Sequence, residues 1–319
     1  QQDNIFHWFE TGNVRRTVLD IYATGRATSL PPNLVEEVYN RNLIVRARAG
    51  TGKTTTIIEG ANRAPEKKIL LAAYNKKIAE ELSSRIQNPN VTAKTLHSVG
   101  YAAVRQFRER IQVSFNDDRA TRLTDAVCGN RAPDTIKRLV SKLHIKGREI
   151  TPHASMLGDL TNIAYEFDCI PDEQWESTFP LDYIEQKALD AMELASQIKS
   201  GETIDASDML FLPVRNGWLQ GQYNLVIIDE SQDMSNSQLE IAQGVSIKGG
   251  RICLVGDDRQ AIYGFRGADS GSLDRLKREL GAAELGLTRT YRCAKSIVRL
   301  AAELVPDFEA GEFNPEGEI

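Results

Sequence analysis

Short apolar runs alternate with amphipathic helical stretches over much of the chain. Such runs predict four buried strands, at residues 43–45, within "KKILLAAYN", at 225–228 and at 252–255. The stretches "KTTTIIEGANRA" and "KKIAEELSSRI" follow the first two runs and carry apolar residues at helical spacing. Continuous apolar strands that alternate with helices are typical of a parallel sheet buried on both faces. The pattern therefore predicts an α/β fold, with helices on both faces of one sheet.

The same pattern divides the chain into segments. Residues 105–205 are helical in pattern, with turns at "RAPD", "KGREITPH" and "CIPDEQW", and they separate the strand-rich segments 1–104 and 206–300. We interpret 105–205 as an all-helical subdomain inserted into the α/β domain. Residues 13–41 are an unusual insertion, in which "RRTVLDIYATG" predicts a helix and "SLPPNLVEEVYNRN" predicts a loop and a second helix. Residues 301–319 are interpreted as a linker toward a further domain.

Composition places the chain among ordinary globular proteins. It has 319 residues, of which 41% are hydrophobic and 26% are charged, so it can bury a sizeable core. No apolar run approaches the ~18 residues of a membrane helix, and the N-terminus lacks a signal-peptide pattern. The four cysteines form no C-x-x-C pair, which favours a reduced intracellular setting. We predict a monomer without a membrane segment that is not secreted, and that is cytoplasmic and nucleoid-associated, or nuclear in a eukaryote.

Charge is unevenly distributed. The net charge of −5 argues mildly against nucleic acid as a partner, but residues 131–148 hold six cations against one acid. These cations are Arg131, Lys137, Arg138, Lys142, Lys146 and Arg148. Two interpretations stay open for this cluster: a solvated helix face, or a surface that grips duplex or backbone phosphates.

A phosphate-binding turn is predicted in "VRARAGTGKTTTI", between the first strand and the first helix. The core, residues 47–54, is nearly G-x-x-x-x-G-K-[ST], with Ala47 in place of the first glycine. Gly50 and Gly52 let successive backbone N–H groups point at one phosphate, and the helix dipole adds positive potential. Lys53 is predicted to bridge the β- and γ-phosphates, and Thr54 to bind Mg²⁺. ATP and Mg²⁺ are therefore the expected cofactors.

A pair of acids at a strand end completes this chemistry. In "VIIDESQD", Asp229 ends an apolar strand, as expected for the second metal ligand of a P-loop enzyme. Glu230 follows it and is a candidate base for an attacking water. An acid pair of this kind favours hydrolysis over phosphoryl transfer to a small molecule.

Further motifs carry a resemblance to a known family. After the phosphate loop come "AYNKKIAEEL", "TLHSVGY", "VIIDESQDMS", "LVGDDRQAIYGFRGA" and "LTRTYRC", in that order. Together they resemble the UvrD/Rep-type superfamily 1 DNA helicases, and the first two look closest to the F-box DNA helicase and phage-like branch. The match covers most of residues 43–104 and 206–300. It implies a RecA-like P-loop NTPase fold and ATP hydrolysis coupled to 3′-to-5′ movement on single-stranded DNA.

The resemblance also implies roles for individual residues at the nucleotide. Gln2 matches the glutamine that reads the adenine edge, with Gln1 a poorer fit. Tyr291 would stack on the base, Arg292 would reach the γ-phosphate, and Gln260 would sense that phosphate or the attacking water. The predicted catalytic residues are thus Lys53, Asp229, Glu230, Gln260 and Arg292. The predicted nucleotide contacts are Gln2, Ala49, Gly50, Thr51, Gly52, Lys53, Thr54, Thr55, Tyr291 and Arg292, with Thr54 and Asp229 at the metal.

For the DNA strand, the resemblance implies aromatic faces and polar contacts in a groove. Tyr74, Tyr263 and Phe265 match stacking or packing positions, and Thr95, His97 and Arg266 match polar contacts. Stacking tolerates any base, which suits a motor on arbitrary sequence. Single-stranded DNA and DNA junctions are the implied partners, with a loading protein as a further candidate.

The pattern departs from the family in two places. Gln2 is separated from Lys53 by a long connection that contains the insertion at 13–41. Motifs of a second RecA-like domain are absent, so we expect the chain to be the N-terminal part of a helicase. Two other interpretations remain: a module that binds single-stranded DNA or a partner with little turnover, and the motor part of a helicase–nuclease. RNA in place of DNA also stays open.

Overall fold

The structure is a computed structural model, and it describes residues 1–17, 35–107, 112–113, 118–199, 202–260 and 272–318. The strands are β1 (Asn13–Thr17), β2 (Val35–Tyr39), β3 (Asn42–Ala47), β4 (Ile69–Ala73), β5 (Val91–Thr95), β6 (Gln112–Val113), β7 (Thr203–Ile204), β8 (Tyr223–Ile228), β9 (Ser246–Gly256), β10 (Ala283–Leu287), β11 (Arg289–Thr290) and β12 (Glu309–Ala310). The helices are α1 (Gln2–Thr11), α2 (Lys53–Arg63), α3 (Lys76–Arg85), α4 (Leu96–Phe107), α5 (Arg119–Cys128), α6 (Asp134–Ile150), α7 (Thr161–Glu166), α8 (Glu173–Glu176), α9 (Leu181–Ser196), α10 (Ala206–Arg215), α11 (Asn236–Val245), α12 (Ser272–Leu280) and α13 (Lys295–Ala302).

A six-stranded sheet forms the centre of the α/β part. Its order is β10-β3-β9-β8-β4-β5, and every neighbouring pair is parallel. The four apolar runs of the sequence are its four inner strands, so the predicted parallel sheet is confirmed. The outer strands β5 and β10 were not predicted.

Helices cover both faces of this sheet because successive strand residues point to opposite sides. On one side, Leu43 and Val45 share a hydrophobic cluster with α1, α2 and α3. On the other side, Ile44 shares a cluster with α4, α10, α11 and α12. The predicted two-sided arrangement is therefore present. Among the described helices, none combines the length and the apolar character that crossing a bilayer requires.

The first helix is held tightly against the second. Gly60 of α2 has no Cβ, and a Cβ there would lie 2.3 Å from the ring of Phe9, so only glycine permits this approach. Arg251 of β9 donates to the carbonyl oxygens of Trp8 (2.6 Å) and Phe9 (2.7 Å), near the C-terminal end of α1. These contacts fix the start of the chain beside the phosphate loop.

The insertion at 13–41 differs from its predicted helices. Residues 13–17 and 35–39 are the antiparallel strands β1 and β2, with Asn13 opposite Tyr39 and Thr17 opposite Val35. The helix prediction is therefore wrong for these residues, while 18–34 lie outside the described part. The physical reason is cross-strand pairing of opposite charges: Arg15 stands opposite Glu37 and Arg16 opposite Glu36, and the side chains of Arg15 and Glu37 pair at 3.4 Å.

Helices α5, α6, α7 and α9 share one hydrophobic cluster, separate from the two clusters of the sheet. Helix α6 continues to Ile150, so the turn predicted at "KGREITPH" begins only at Thr151. Its last turn carries Arg148, which is fully buried and paired with Asp205 and Asp208. Arg148 therefore belongs to neither the solvated face nor the phosphate-gripping surface considered for the basic cluster.

The buried His144 of α6 predicts an acid-sensitive fold. Burial, and after it the charge of Arg148, lower the pKa of His144 to about 3. Between pH 6.5 and 3 the unfolded chain therefore binds a proton that the folded chain does not. We expect the free energy of unfolding to fall by about 2 kcal/mol between pH 7 and pH 5 through this residue alone.

Urea unfolding at the two pH values measures this difference. In the His144→Gln chain the pH-dependent loss should shrink by the same amount, because Gln does not titrate. An unchanged pH dependence in that variant would show that other groups cause the loss.

Candidate active site

The residues that the sequence singled out lie along one edge of the sheet. Because all six strands are parallel, their carboxyl ends meet there, and ligands of such sheets bind at this edge. The residues that end or follow the strands are Ala47 of β3, Tyr74 after β4, Thr95 of β5, Asp229 after β8, Asp257 after β9 and Thr288 after β10.

The phosphate loop connects β3 to α2 in the expected conformation. Gly50 (φ 71°) and Gly52 (φ 81°) both have left-handed backbones, which glycine adopts without a steric cost. No described side chain caps the N-terminus of α2 at Gly52, so its backbone N–H groups are oriented for an anion. Ala47 is 1% exposed and pairs with Leu287 of β10, so a small residue suffices where the motif has glycine.

Lys53 and the acid pair form the centre of the site. The Nζ of Lys53 lies 2.6 Å from Oε2 of Glu230 and 3.9 Å from Oδ1 of Asp229. Glu230 has φ 53°, a conformation that costs a non-glycine residue about 1–3 kcal/mol and is concentrated at functional sites. The strand end thus holds Asp229 buried while it turns Glu230 outward, where its side chain is 36% exposed.

The two carboxyls have different environments. Burial raises the pKa of Asp229 to about 6; the charge of Lys53 opposes this shift and that of Glu230 adds to it. A divalent cation beside Asp229 would favour its ionised form, which is how a metal compensates a buried carboxylate. The environment of Asp229 therefore suits a metal ligand, and that of the more exposed Glu230 suits a base in contact with water.

A glutamine that the sequence analysis did not single out connects this centre to β9. Gln232 donates from Nε2 to Oε2 of Glu230 (2.9 Å) and accepts at Oε1 from the backbone N–H of Asp257 (3.0 Å). Asp257 in turn accepts at Oδ2 from Nε2 of Gln260 (2.6 Å). Gln260 is thus linked to Glu230 through Asp257 and Gln232. The sequence signal was present, since Gln232 follows Glu230 by two positions in "DESQD".

A cavity of about 250 Å³ lies next to the phosphate loop. Its lining is Gln1, Gln2, Asp3, Thr51, Leu287, Arg289 and Tyr291. Tyr291 is 65% exposed, so its ring is available for stacking, and two glutamine amides supply donors and acceptors for a base edge. Polar groups around a flat aromatic face suit a purine base. Arg289 was not predicted, although it stands two positions before Tyr291.

The insertion does not separate Gln2 from this cavity. Gln2 donates from Nε2 to Oγ1 of Thr56 in α2 (3.0 Å). The side-chain amide of Gln1 instead bonds Thr288 twice: Nε2 donates to Oγ1 (2.8 Å), and Oε1 accepts from the backbone N–H (3.1 Å). The ribbon β1–β2 therefore does not displace the start of the chain, and both glutamines remain at the site. Both line the cavity, so Gln1 is a second candidate for the base edge.

The other predicted nucleotide residues lie on the same loop and its neighbours. Thr51 is 2% exposed and donates from its hydroxyl to the carbonyl of Arg48 (2.8 Å). Gly50 accepts from the backbone N–H of Tyr291 (2.9 Å). Ala49 precedes Gly50, whereas Thr54 and Thr55 are the second and third residues of α2. Arg292 follows Tyr291 beside Gly50, so the "LTRTYRC" segment packs directly on the phosphate loop.

This contact makes Gly50 sensitive to substitution. A Cβ on Gly50 would lie 2.6 Å from Oγ1 of Thr290 and 2.7 Å from Cβ of Arg292. We expect Gly50→Ala to weaken nucleotide binding at least about 10-fold, since left-handed strain alone costs about 1–2 kcal/mol. Gly129→Ala is the matched control, because Gly129 also has a left-handed φ of 62° but no described atom lies within 4 Å of its Cβ.

Titration with a fluorescent ATP analogue measures both variants. Equal affinity in the Gly50→Ala chain and the unaltered chain would mean that the nucleotide does not use this turn. A matching loss in Gly129→Ala would attribute the effect to general destabilisation.

A magnesium site built by the protein alone is not present in the described residues. No group of three or more His, Cys, Asp or Glu side chains there is arranged to hold a metal. Mg²⁺ bound with a nucleotide needs only one or two protein ligands besides phosphate and water. Asp229 and the Thr54 hydroxyl fit that smaller set.

The predicted DNA contacts fall in two groups. Tyr74 and His97 line a small cavity together with Asp229 and Glu230, and Tyr74 is 38% exposed. Thr95 lies beside them and accepts at Oγ1 from the backbone N–H of Ser98 (3.1 Å). Tyr263, Phe265 and Arg266 lie outside the described residues. Of the predicted DNA contacts within the described residues, Tyr74 and His97 thus lie beside the acid pair.

Sheet order, phosphate loop and acid pair define the class of this chain as a P-loop nucleotide-binding α/β protein. The family model "UvrD/REP helicase N-terminal domain" matches residues 32–281. The chain belongs to this family, which confirms the resemblance of its motifs.

Curated relatives are named as helicases. DNA helicase II of Rickettsia typhi is 28% identical over 289 residues, which cover 82% of this chain and 42% of the relative. The ATP-dependent DNA helicase PcrA of Staphylococcus aureus is 24% identical over 297 residues, covering 86% of this chain and 39% of the relative. The chain thus spans about two fifths of the length of these relatives.

Proposed function

We propose that this chain binds and hydrolyses ATP and couples hydrolysis to movement on single-stranded DNA. The observation that carries the proposal is the placement of Lys53, Asp229 and Glu230 within contact of one another at the carboxyl edge of the sheet. The cavity lined by Gln1, Gln2 and Tyr291, which suits a purine base, lies beside the same loop. The family and the names of the relatives support ATP and DNA as the ligands.

Each role in hydrolysis is assigned to particular residues of the chain. When bound, ATP supplies the bond to be broken, and Mg²⁺ supplies positive charge against its phosphate oxygens. Lys53 leaves Glu230 to contact a phosphate, and this exchange releases the Glu230 carboxylate to orient water and accept its proton. Asp229 and Thr54 would hold the metal. Gln260 and Arg292 contact the γ-phosphate, with Arg292 as a fixed cation against developing charge.

We propose that DNA binding is coupled to ATP hydrolysis through the small cavity beside the acid pair. Tyr74, His97, Asp229 and Glu230 all line this cavity. A base stacked on Tyr74 would therefore lie close to the strand end that holds the acids. Stacking contributes roughly 1–3 kcal/mol per base without regard to sequence.

Steady-state hydrolysis with and without oligothymidine tests the proposal. We expect stimulation by the oligonucleotide in the unaltered chain and loss of hydrolysis in Lys53→Ala. Tyr74→Ala should lower DNA affinity, whereas Tyr165→Ala, which removes an exposed tyrosine of α7, should not. DNA binding without turnover in the unaltered chain would instead support a binding module. Equal or greater stimulation by an RNA oligonucleotide would replace DNA by RNA in the proposal.

The finer parts of the proposal rest on the resemblance. They are 3′-to-5′ polarity, DNA junctions as substrates, a loading protein as a partner, action as a monomer, and a cytoplasmic or nuclear location. The division into an α/β domain with an inserted helical subdomain at 105–205 is proposed on the separate hydrophobic cluster of α5–α9.

A further inference from the structure

A buried arginine of the phosphate loop contacts three acidic residues from other parts of the chain. Arg48 is 8% exposed. Its Nη1 donates to Oδ1 of Asp257 (3.1 Å) and Oδ1 of Asp258 (2.7 Å). Its Nε and Nη2 donate to Asp307, at 3.1 and 2.9 Å from Oδ2. Arg48 thus connects the loop to the end of β9 and to the segment after α13.

The contact with Asp257 is the informative one. Asp257 is 2% exposed, and Arg48 is the only cation that pairs with it within the described residues. A carboxylate at such depth depends on its counter-charge. The two oxygens of Asp257 have separate partners: Oδ1 accepts from Arg48 and from the backbone N–H of Arg259 (both 3.1 Å), and Oδ2 accepts from Gln260 at 2.6 Å. Loss of Arg48 would therefore leave this carboxyl without its counter-charge and allow it to turn away from Gln260.

The same contacts close into a ring that begins and ends in the phosphate loop. From Arg48 the ring passes through Asp257 to Gln232, whose side chain accepts from the backbone N–H of Asp257. It then passes through Glu230 to Lys53, at 2.9 and 2.6 Å. The loop is thereby connected to the acid pair and to Gln260 by direct contacts.

We propose that Arg48 is a positioning residue for ATP hydrolysis, which acts through Asp257 to hold Gln260 at the γ-phosphate side of the site. This inference rests on the proposed function for the role of Gln260. The contacts that carry it belong to the chain alone, so they can also be tested without nucleotide.

The first test is hydrogen exchange of the unliganded 319-residue chain. The backbone N–H groups of Asp257, Arg259 and Gln260 all have bonds that depend on the placement of Asp257. Arg48→Met should speed exchange in the peptide 257–260. Arg46→Met is the matched control, because Arg46 is another arginine of the same acidic cluster that contacts Asp258, Asp274 and Glu284 but not Asp257. Unchanged exchange at 257–260 in Arg48→Met would overturn the inference.

The second test is a double-variant cycle in ATP hydrolysis. We expect Arg48→Met to lower kcat about 10- to 100-fold, as for a misplaced catalytic group, with KM for ATP changed less than about 3-fold. Added to Gln260→Ala, it should cause little further loss, because Arg48 is proposed to act only through the placement of Gln260 by Asp257. The losses of kcat caused by Arg46→Met and by Gln260→Ala should instead multiply in the double variant. Multiplying effects of Arg48→Met and Gln260→Ala would also overturn the inference.

The outcomes separate this inference from the proposed function. Absence of hydrolysis by the unaltered chain would overturn both. Normal hydrolysis in Gln260→Ala, with faster exchange in Arg48→Met, would remove the role of Gln260 and the catalytic part of the inference, but leave the hydrolytic function. Should Arg48→Met not fold, Asp257→Asn replaces it in both tests, because it removes the charge that links Arg48 to Gln260.

Discussion

The Glu230→Gln chain is expected to bind ATP but to hydrolyse it about 10²- to 10⁴-fold more slowly than the unaltered chain, the usual contribution of a positioned general base. Gln has the same size, and its side-chain oxygen can still accept from Gln232, which lies 2.9 Å from Glu230. It cannot accept a proton from water. The structure adds a reason for retained binding: Lys53 pairs with Glu230 at 2.6 Å, and the neutral side chain holds this lysine less firmly.

Single-turnover hydrolysis and fluorescent-nucleotide titration together measure this expectation. Glu240→Gln is a suitable control, since Glu240 lies on α11 and bonds the exposed His153 at 2.7 Å, away from the phosphate loop. Both activities should be normal in that control. Turnover above one tenth of the unaltered rate in Glu230→Gln would remove Glu230 from the role of base.

The sequence predicted which residues meet at this edge because each part of the pattern is local. A phosphate loop needs glycines, Lys53 and a following helix within a few positions, and Asp229 directly ends an apolar run. Parallel strands bring such local parts to one edge without further information. The four apolar runs were therefore enough to place Lys53 and the acid pair near one another.

Edge strands and the insertion were missed for a different reason. Strand β5 alternates between half-buried and exposed residues, and β10 includes Glu284 and Gly286, so neither forms a continuous apolar run. An edge strand can be less apolar because only one neighbour pairs with it. In the insertion, the adjacent charges of "VEEVY" lack the alternation of a half-buried strand, and only the pairing with β1 selects the extended form.

Contacts between distant segments could not be predicted from local pattern at all. Arg289 joins the base cavity, and Arg48 meets Asp257 and Asp307, only after the chain has folded. Charge composition gives no sign of such pairing, since a buried arginine and a solvated one look the same in sequence. The basic cluster at 131–148 shows this most clearly, because its last member is fully buried.

Arg148→Met is expected to lower the free energy of unfolding by about 3–5 kcal/mol, the usual effect of removing one partner of a buried ion pair. Arg148 is 0% exposed and donates to Asp208 (2.7 Å) and to both oxygens of Asp205 (3.2 and 3.1 Å). Burial raises the pKa of Asp205, yet the charge of Arg148 brings it below its usual value. Without Arg148, Asp205 loses that compensation in a buried site.

Urea unfolding of matched variants separates charge pairing from the mere loss of a large side chain. Arg138→Met removes an exposed arginine of the same helix and should change stability by less than about 0.5 kcal/mol. Asp205→Asn added to Arg148→Met should restore part of the loss, because it removes a stranded charge, while Asn still caps α10. A double variant no more stable than Arg148→Met alone would point to lost packing instead. Either result locates Arg148 in the interior, so phosphate contacts on this helix would have to come from its exposed cations, such as Arg138 and Lys142.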